Sequence, residues 1–188
     1  MILKTLIAAS LALTLGTAAN AATYKIDNEG AHASVNFEAS HLGYSVLTGR
    51  FDTFNGSFEY DAANPAAGSV SVEIDMTSVN SNHAKRDNHL RSGDFFDAAN
   101  HAAGSFVSTG IKVTGDKTAV ITGDLTLRGI TNQVDLDARF IGEGDDPWGG
   151  YRAGFAGTTT IQLKDYNMDG VIGDAAIKIT VHAEGVRQ

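Results

Sequence analysis

The chain has no cysteine. It can neither staple a small fold with disulfides nor use a thiol nucleophile, and it offers no attachment point for the lipid anchor that bacterial lipoproteins carry behind their leader. Its stability must therefore come from a sizeable core. Basic residues are also scarce: 14 Lys and Arg stand against 22 Asp and Glu, a net charge of −8. Such a surface repels nucleic acid and anionic membrane. Beyond residue 21 no apolar run reaches the roughly 20 residues a membrane helix needs. No Gly-x-Ser-x-Gly elbow is present, so a serine nucleophile of that kind is excluded.

What is present begins with a leader. Lys4 supplies a positive start, Leu6 to Leu15 an apolar stretch, and Ala19-Asn20-Ala21 the small-x-small pattern cut by a signal peptidase. Residues 1–21 read as a cleaved signal and 22–188 as one exported domain, a common length for an all-β barrel. With no anchor and no membrane run, the expected location is the periplasm.

Period-two alternation dominates the rest, as in strands with one face buried. It runs through Val35 to Ala39, Phe54 to Tyr60, Val70 to Met76, Ile121 to Leu127, Val134 to Phe140, Phe155 to Leu163 and Ile177 to Ala183. The segment from Phe106 to Val113 brings the count to about eight. Turn chemistry at Asn64-Pro65, Gly115-Asp116, Gly129, Gly142 to Gly150 and Asp169-Gly170 separates them. Short links make antiparallel neighbours, and closure into a barrel removes the exposed edges of an open sheet. Only Asn80 to Phe96 breaks the rhythm. It predicts a helix over His83 to Leu90, capped by Ser81 or Asn82. A barrel of this size is either filled by side chains or hollow, and periodicity does not choose.

Three motifs carry alternative readings. Asp165-x-Asn167-x-Asp169-Gly170 resembles the first half of a calcium loop, but position twelve is Ala176 where the closing Glu should stand, so an Asn/Asp/Gly-rich turn is the competing reading. His83, His89 and His101 lack the spacing of helical metal ligands, and His41 is either a polar group at a barrel mouth or a strand-end histidine. The carboxylates Glu143, Asp145 and Asp146 read as solvated turn residues. Arg86-Asp87-x-His89-Leu90-Arg91 with Phe95-Phe96 suits a ligand with a polar head and an apolar tail, or an Arg-carboxylate network tying the helix to the barrel.

Five segments in order resemble the YceI family: Ser40-His41-Leu42-Gly43-Tyr44-Ser45, Gly49-x-Phe51-x-x-Phe54-x-Gly56, Arg86-Asp87-x-His89-Leu90, Gly123-Asp124-Leu125-Thr126-Leu127-x-Gly129 and Asp145-Asp146-Pro147-Trp148-Gly149-Gly150. The resemblance implies an eight-stranded antiparallel lipocalin-like barrel with one short helix between strands, hollow, and binding a polyisoprenoid or similar amphiphilic lipid. It implies frequent stress association and no known catalytic activity; no cofactor and no catalytic residue are expected. The expected ligand class includes an isoprenoid quinone. The chain lacks the Gly-x-Trp of true lipocalins, its one tryptophan being Trp148, so kinship to them is architectural.

Expected lining residues are Phe37, Phe54, Phe58, Ile74 and Phe106, then Leu125, Phe140, Phe155 and Ile179 from the later strands. His41, Arg86, His89 and Arg91 are the expected head-group contacts, and no metal site is expected. An outer-membrane barrel would instead turn its apolar faces outward. An enzyme on a lipid-linked substrate would have only Asp87 or His89 to work with. Self-association into a homodimer is left open by one sequence.

Overall fold

A computed structural model describes residues 21–188. The expected leader, Ala21 excepted, lies outside the described residues. Eleven strands form one sheet: β1 (Ala22–Ile26), β2 (Ser34–His41), β3 (Ser45–Phe51), β4 (Phe54–Tyr60), β5 (Ser69–Asp75), β6 (Val79–Asn80), β7 (Ala103–Gly115), β8 (Thr118–Leu127), β9 (Ile130–Asp145), β10 (Tyr151–Gln162) and β11 (Ala176–Arg187). Every pairing is antiparallel. The ring runs β1-β4-β5-β7-β8-β9-β10-β11 and closes where Tyr24 pairs with Arg187.

The remaining three strands continue members of that ring past local breaks. β2 takes over from β1 along β11, β3 pairs with β2, and β6 pairs with β3. The result is a closed barrel of eight strand positions with one helix. Each of the eight runs read from the sequence falls on one position. β1, β3 and β6 went unread: β1 is only five residues long and β6 two, and in β3 the inward positions Leu47, Gly49 and Phe51 are interrupted by glycine while Val46 points out.

Strand β9 states the design most plainly. Ile130, Val134, Leu136, Ala138 and Phe140 are half-buried on one face, and Thr131, Gln133, Asp135, Asp137 and Arg139 are exposed on the other. This orientation is the reverse of an outer-membrane barrel. Among the described residues no helix is long and apolar enough to cross a membrane. In β7 the register shifts between Ser108 and Gly110. The extra residue flips the parity, so Phe106 and Ile111 both reach the interior. That shift is why Phe106 to Val113 shows no clean alternation.

Glycine makes room for aromatic rings across strands. A Cβ on Gly49 would lie 2.2 Å from the Phe37 ring, and one on Gly185 would lie 2.5 Å from Phe58. Only a bare Cα admits those rings flat against the wall.

The helix α1 covers Ala84–Arg91, one residue later than expected. His83 is its cap, with Nδ1 accepting from the Arg86 N–H at 3.2 Å. The two expected caps are otherwise engaged: Asn82 has φ 59, and the buried Ser81 hydroxyl bonds Asp87 and Arg86. Two apolar clusters hold the ends. On the helix side Phe51, Met76, Val79, Phe95, Leu163 and Tyr166 are buried together. On the far side Tyr24, Ile26, Phe58 and Ala153 pack, with Tyr24 stacked on Phe58 at 5.0 Å between ring centres.

Candidate functional site

Between those clusters the barrel encloses a cavity of about 610 Å³, within the roughly 300–1,000 Å³ range of small-molecule sites. All eight strand positions contribute apolar wall residues. Val35 and Phe37 come from β2, Leu47 from β3 and Phe58 from β4, followed by Val72 and Ile74 on β5. The later strands add Phe106, Ile121, Leu125, Leu136, Phe140, Phe155, Ile161, Ile179 and Val181. Of the nine lining residues expected from the sequence, eight stand on this wall. Phe54 does not: it starts β4 beside the Asp52-Thr53 break and packs between the two buried clusters. Leu47, Val72, Leu136 and Tyr60 were not singled out, although the last three share the alternation of residues that were.

The two ends differ. On the far side Tyr60, Phe140 and Phe155 form a three-way contact with ring centres 5.1 to 5.4 Å apart, and Phe58 adds a fourth ring 5.3 Å from Phe155. Lys117 lies 6.0 Å from the centre of the Phe140 ring. Burial, and then the charge of Glu143, raise the Tyr60 hydroxyl above the usual tyrosine range. Glu59 and Asp116 also border the cavity there. Aromatic rings and acidic groups therefore line this end.

The helix side is where cations and imidazoles gather. His41 at the end of β2 and Arg86 and His89 on α1 all border the cavity. Arg86 is aimed by Ser81, donating from Nε to the hydroxyl and from Nη2 to the carbonyl, both at 2.7 Å. Ser81 in turn gives its hydroxyl and backbone N–H to Asp87 at 2.5 and 2.7 Å. Burial pushes the Asp87 carboxyl up, but those two hydrogen bonds and the neighbouring arginines bring it below the usual range. His89 stands edge-on to Phe95 and 2.9 Å from Asp94.

Arg91 is not part of this group. Its guanidinium donates to the carbonyls of Thr77 and Val79 and to the Asn88 side chain, so it fastens α1 to the end of the sheet. At helical spacing, Arg86 and Arg91 lie on different faces of α1, and one sequence does not say which face meets the lumen. The network expected between arginines and carboxylates exists in altered form, joined through the Ser81 hydroxyl.

Two further motifs find their places outside the cavity. Asp146 receives the Trp148 N–H and bonds Arg152, whose Nη1 also reaches Asp27 at 2.6 Å and Glu184 at 2.7 Å. One arginine thus ties the β9–β10 turn to the β1–β2 break and to β11. The Arg152 hydrogen bond, followed by the Gly30 N–H, lowers Asp27 to about 2. In the Asp165 to Asp174 segment, backbone oxygens of Asp165 and Asn167 accept from Asn132 and Arg128, and Lys164 pairs with Asp174 at 2.6 Å. Among the described residues, the one set of three metal-type ligands within 4.8 Å is Asp27, His32 and Glu184, and Arg152 already bridges its two carboxylates.

Comparison with known proteins agrees with this architecture. A UPF0312 protein of Ectopseudomonas mendocina is 53% identical over 184 residues, covering 94% of this chain and 96% of its own. The crystal structure of Burkholderia cenocepacia BcnA superposes with a TM-score of 0.75 at 22% identity, over 85% of this chain and 98% of that one. A polyisoprenoid-binding domain from Saccharophagus degradans gives 0.65 at 15% identity, over 89% and 99%. Residues 24–185 match the YceI-like domain, and the chain belongs to the YceI family.

Proposed function

We propose that the barrel binds a long-chain isoprenoid or a similar amphiphilic lipid, tail in the lumen and head at the helix-side mouth. In the periplasm it carries or sequesters that lipid, with a role in stress. The observation that supports this reading best is the apolar cavity walled by all eight strand positions. Each tail CH₂ withdrawn from water contributes about 0.8 kcal/mol, so several isoprene units outweigh an association cost of roughly 4–15 kcal/mol. The fold shared with a polyisoprenoid-binding domain supports the same ligand class. His41, Arg86 and His89 suit a phosphate, diphosphate or quinone head, because each can donate to oxygen.

The protein reads as a binder rather than an enzyme. Of the two residues an enzyme could use, Asp87 is committed to Ser81, and His89, at the edge of the lumen beside Asp94, is left to hold the head group. Native mass spectrometry of protein from its own host is expected to show a co-purified apolar ligand. Ala138→Trp, which fills the middle of the lumen, should lower that loading at least tenfold without unfolding the barrel. A clean apo mass, or turnover of a prenyl phosphate that Asp87→Ala abolishes, would overturn the reading.

A further inference from the structure

The rim of the helix-side mouth is apolar where it meets water. Leu42 and Tyr44 in the β2–β3 turn are 78% and 85% exposed, and Val46 follows on the outer face of β3. Beside it, the loop before β11, the strand that pairs with β2, presents Ile172, 57% exposed, next to Val171. Leu42 and Ile172 also border the cavity, so rim and lumen share side chains.

The turn itself would be easier to build without leucine. The Tyr44 N–H donates to the His41 carbonyl, with Leu42 at φ 54 and Gly43 at φ 77. Two left-handed residues at the centre of a tight turn call for Asn, Asp or Gly in the first place. Leucine there costs steric energy and leaves its side chain in water. Neither cost is offset within the barrel.

We propose that this rim docks the protein on a lipid bilayer surface, with Leu42, Tyr44 and Ile172 entering the interface above the mouth. The purpose of docking rests on the lipid-binding reading. A tail passing between bilayer and lumen avoids water only if the mouth sits on the membrane. Tyrosine beside aliphatic side chains is a pairing suited to the headgroup level. A second protein fits this surface poorly, because the exposed apolar side chains are few and stand on two neighbouring loops, whereas stable interfaces pack a continuous core of about 800 Å² per partner.

Charge selects the kind of bilayer. α1 brings Lys85, Arg86 and Arg91 against Asp87, and the segment bearing Ile172 brings Asp165, Asp169 and Asp174 against Lys164, so the charges near the mouth nearly cancel while the whole chain is at −8. Docking is therefore driven by apolar insertion and favours a zwitterionic surface. The far end also exposes Trp148, at 86%, but Trp148 does not border the cavity and Glu59 and Asp116 do.

Flotation with phosphatidylcholine–phosphatidylethanolamine vesicles tests this, using the protein as its own host processes it. The wild type should float, with weaker binding to phosphatidylglycerol vesicles at low salt. The combined variant Leu42→Asn, Tyr44→Ser, Ile172→Ser should lose about tenfold or more in partitioning, and Trp148→Ser should lose none. Leu42→Asn alone relieves the turn, so a loss of a few fold from it cannot come from misfolding. A wild type that stays unbound, a triple variant that floats like wild type, or a loss confined to Trp148→Ser would overturn docking at this rim. So would a dimer in solution that the triple variant breaks. Native mass spectra of the same preparations keep the two ideas apart: an apo protein that still floats through its rim removes the lipid-binding reading and leaves docking standing.

Discussion

At the scale of single residues, buried polar groups define the tests. The Tyr166 hydroxyl is buried with no well-formed hydrogen bond among the described residues, the Asn132 side chain giving it only weak support, and burial pushes it up to about 12. Removing an unsatisfied buried hydroxyl is favourable, so Tyr166→Phe should raise stability by about 1 kcal/mol. Chemical denaturation measures it; a loss of stability would mean that the hydroxyl is bonded after all. Asp27 offers a pH test with a defined sign. Its folded carboxyl sits at about 2, below the ordinary 3.8, so its contribution is complete above pH 4 and disappears as pH falls through about 2. Solvent screening limits that contribution to on the order of 1 kcal/mol. Asp27→Asn should flatten the acid limb of the melting profile over that window. Arg152→Ala should do more, lowering the melting temperature by several degrees, because three carboxylates on separate elements lose their common cation.

At the scale of elements, the hairpin β2–β3 and helix α1 decide how the lumen opens. Gly49→Ala would drive a Cβ into the Phe37 ring, which stands on the cavity wall. Overpacking of this kind costs about 1–3 kcal/mol. Here it should also push the ring toward the lumen, so ligand loading falls along with the melting temperature. For α1, His83→Ala removes the side-chain acceptor from the first turn and should cost about 1 kcal/mol. Substitution by Asn or Ser should restore it, since either can take the same N–H. The helix is short and buries no residue completely, so it depends on its cap and on the Arg91 bonds to Thr77 and Val79.

At the scale of the whole molecule, closure is the fact that matters. Eight strand positions make a closed ring around the lumen, and their inward side chains enclose a volume instead of filling it. A protein of this kind should be stabilised by its ligand through mass action alone. Free ligand at a hundred times its Kd adds about 2.7 kcal/mol. Melting with and without a long-chain prenyl alcohol should show a rise that depends on ligand concentration, and Ala138→Trp should abolish the rise. A concentration-independent melt in the wild type would count against lumen binding.

Much of this was legible in advance because strand periodicity reports local geometry. A residue's face in a strand follows from its parity, and burial of one face follows from alternation, so eight strand positions and eight of nine expected wall residues could be read off. Parity fails where a bulge resets it, as between Ser108 and Gly110, and where an element is short, as in β1. It says nothing of loops and caps. Leu42 and Ile172 reach the mouth through turns, His83 rather than Ser81 caps α1, and Arg91 turns to the sheet while Arg86 turns to the lumen. The sequence alone therefore determined the eight strand positions, the polarity of their faces and, by resemblance, the family. Only the tertiary structure decided which side chains meet across the ring, because those meetings join residues 140 or more positions apart, such as Asp27 with Glu184 and Glu38 with Lys178. Distance along the chain carries no signal about such contacts; barrel closure creates them.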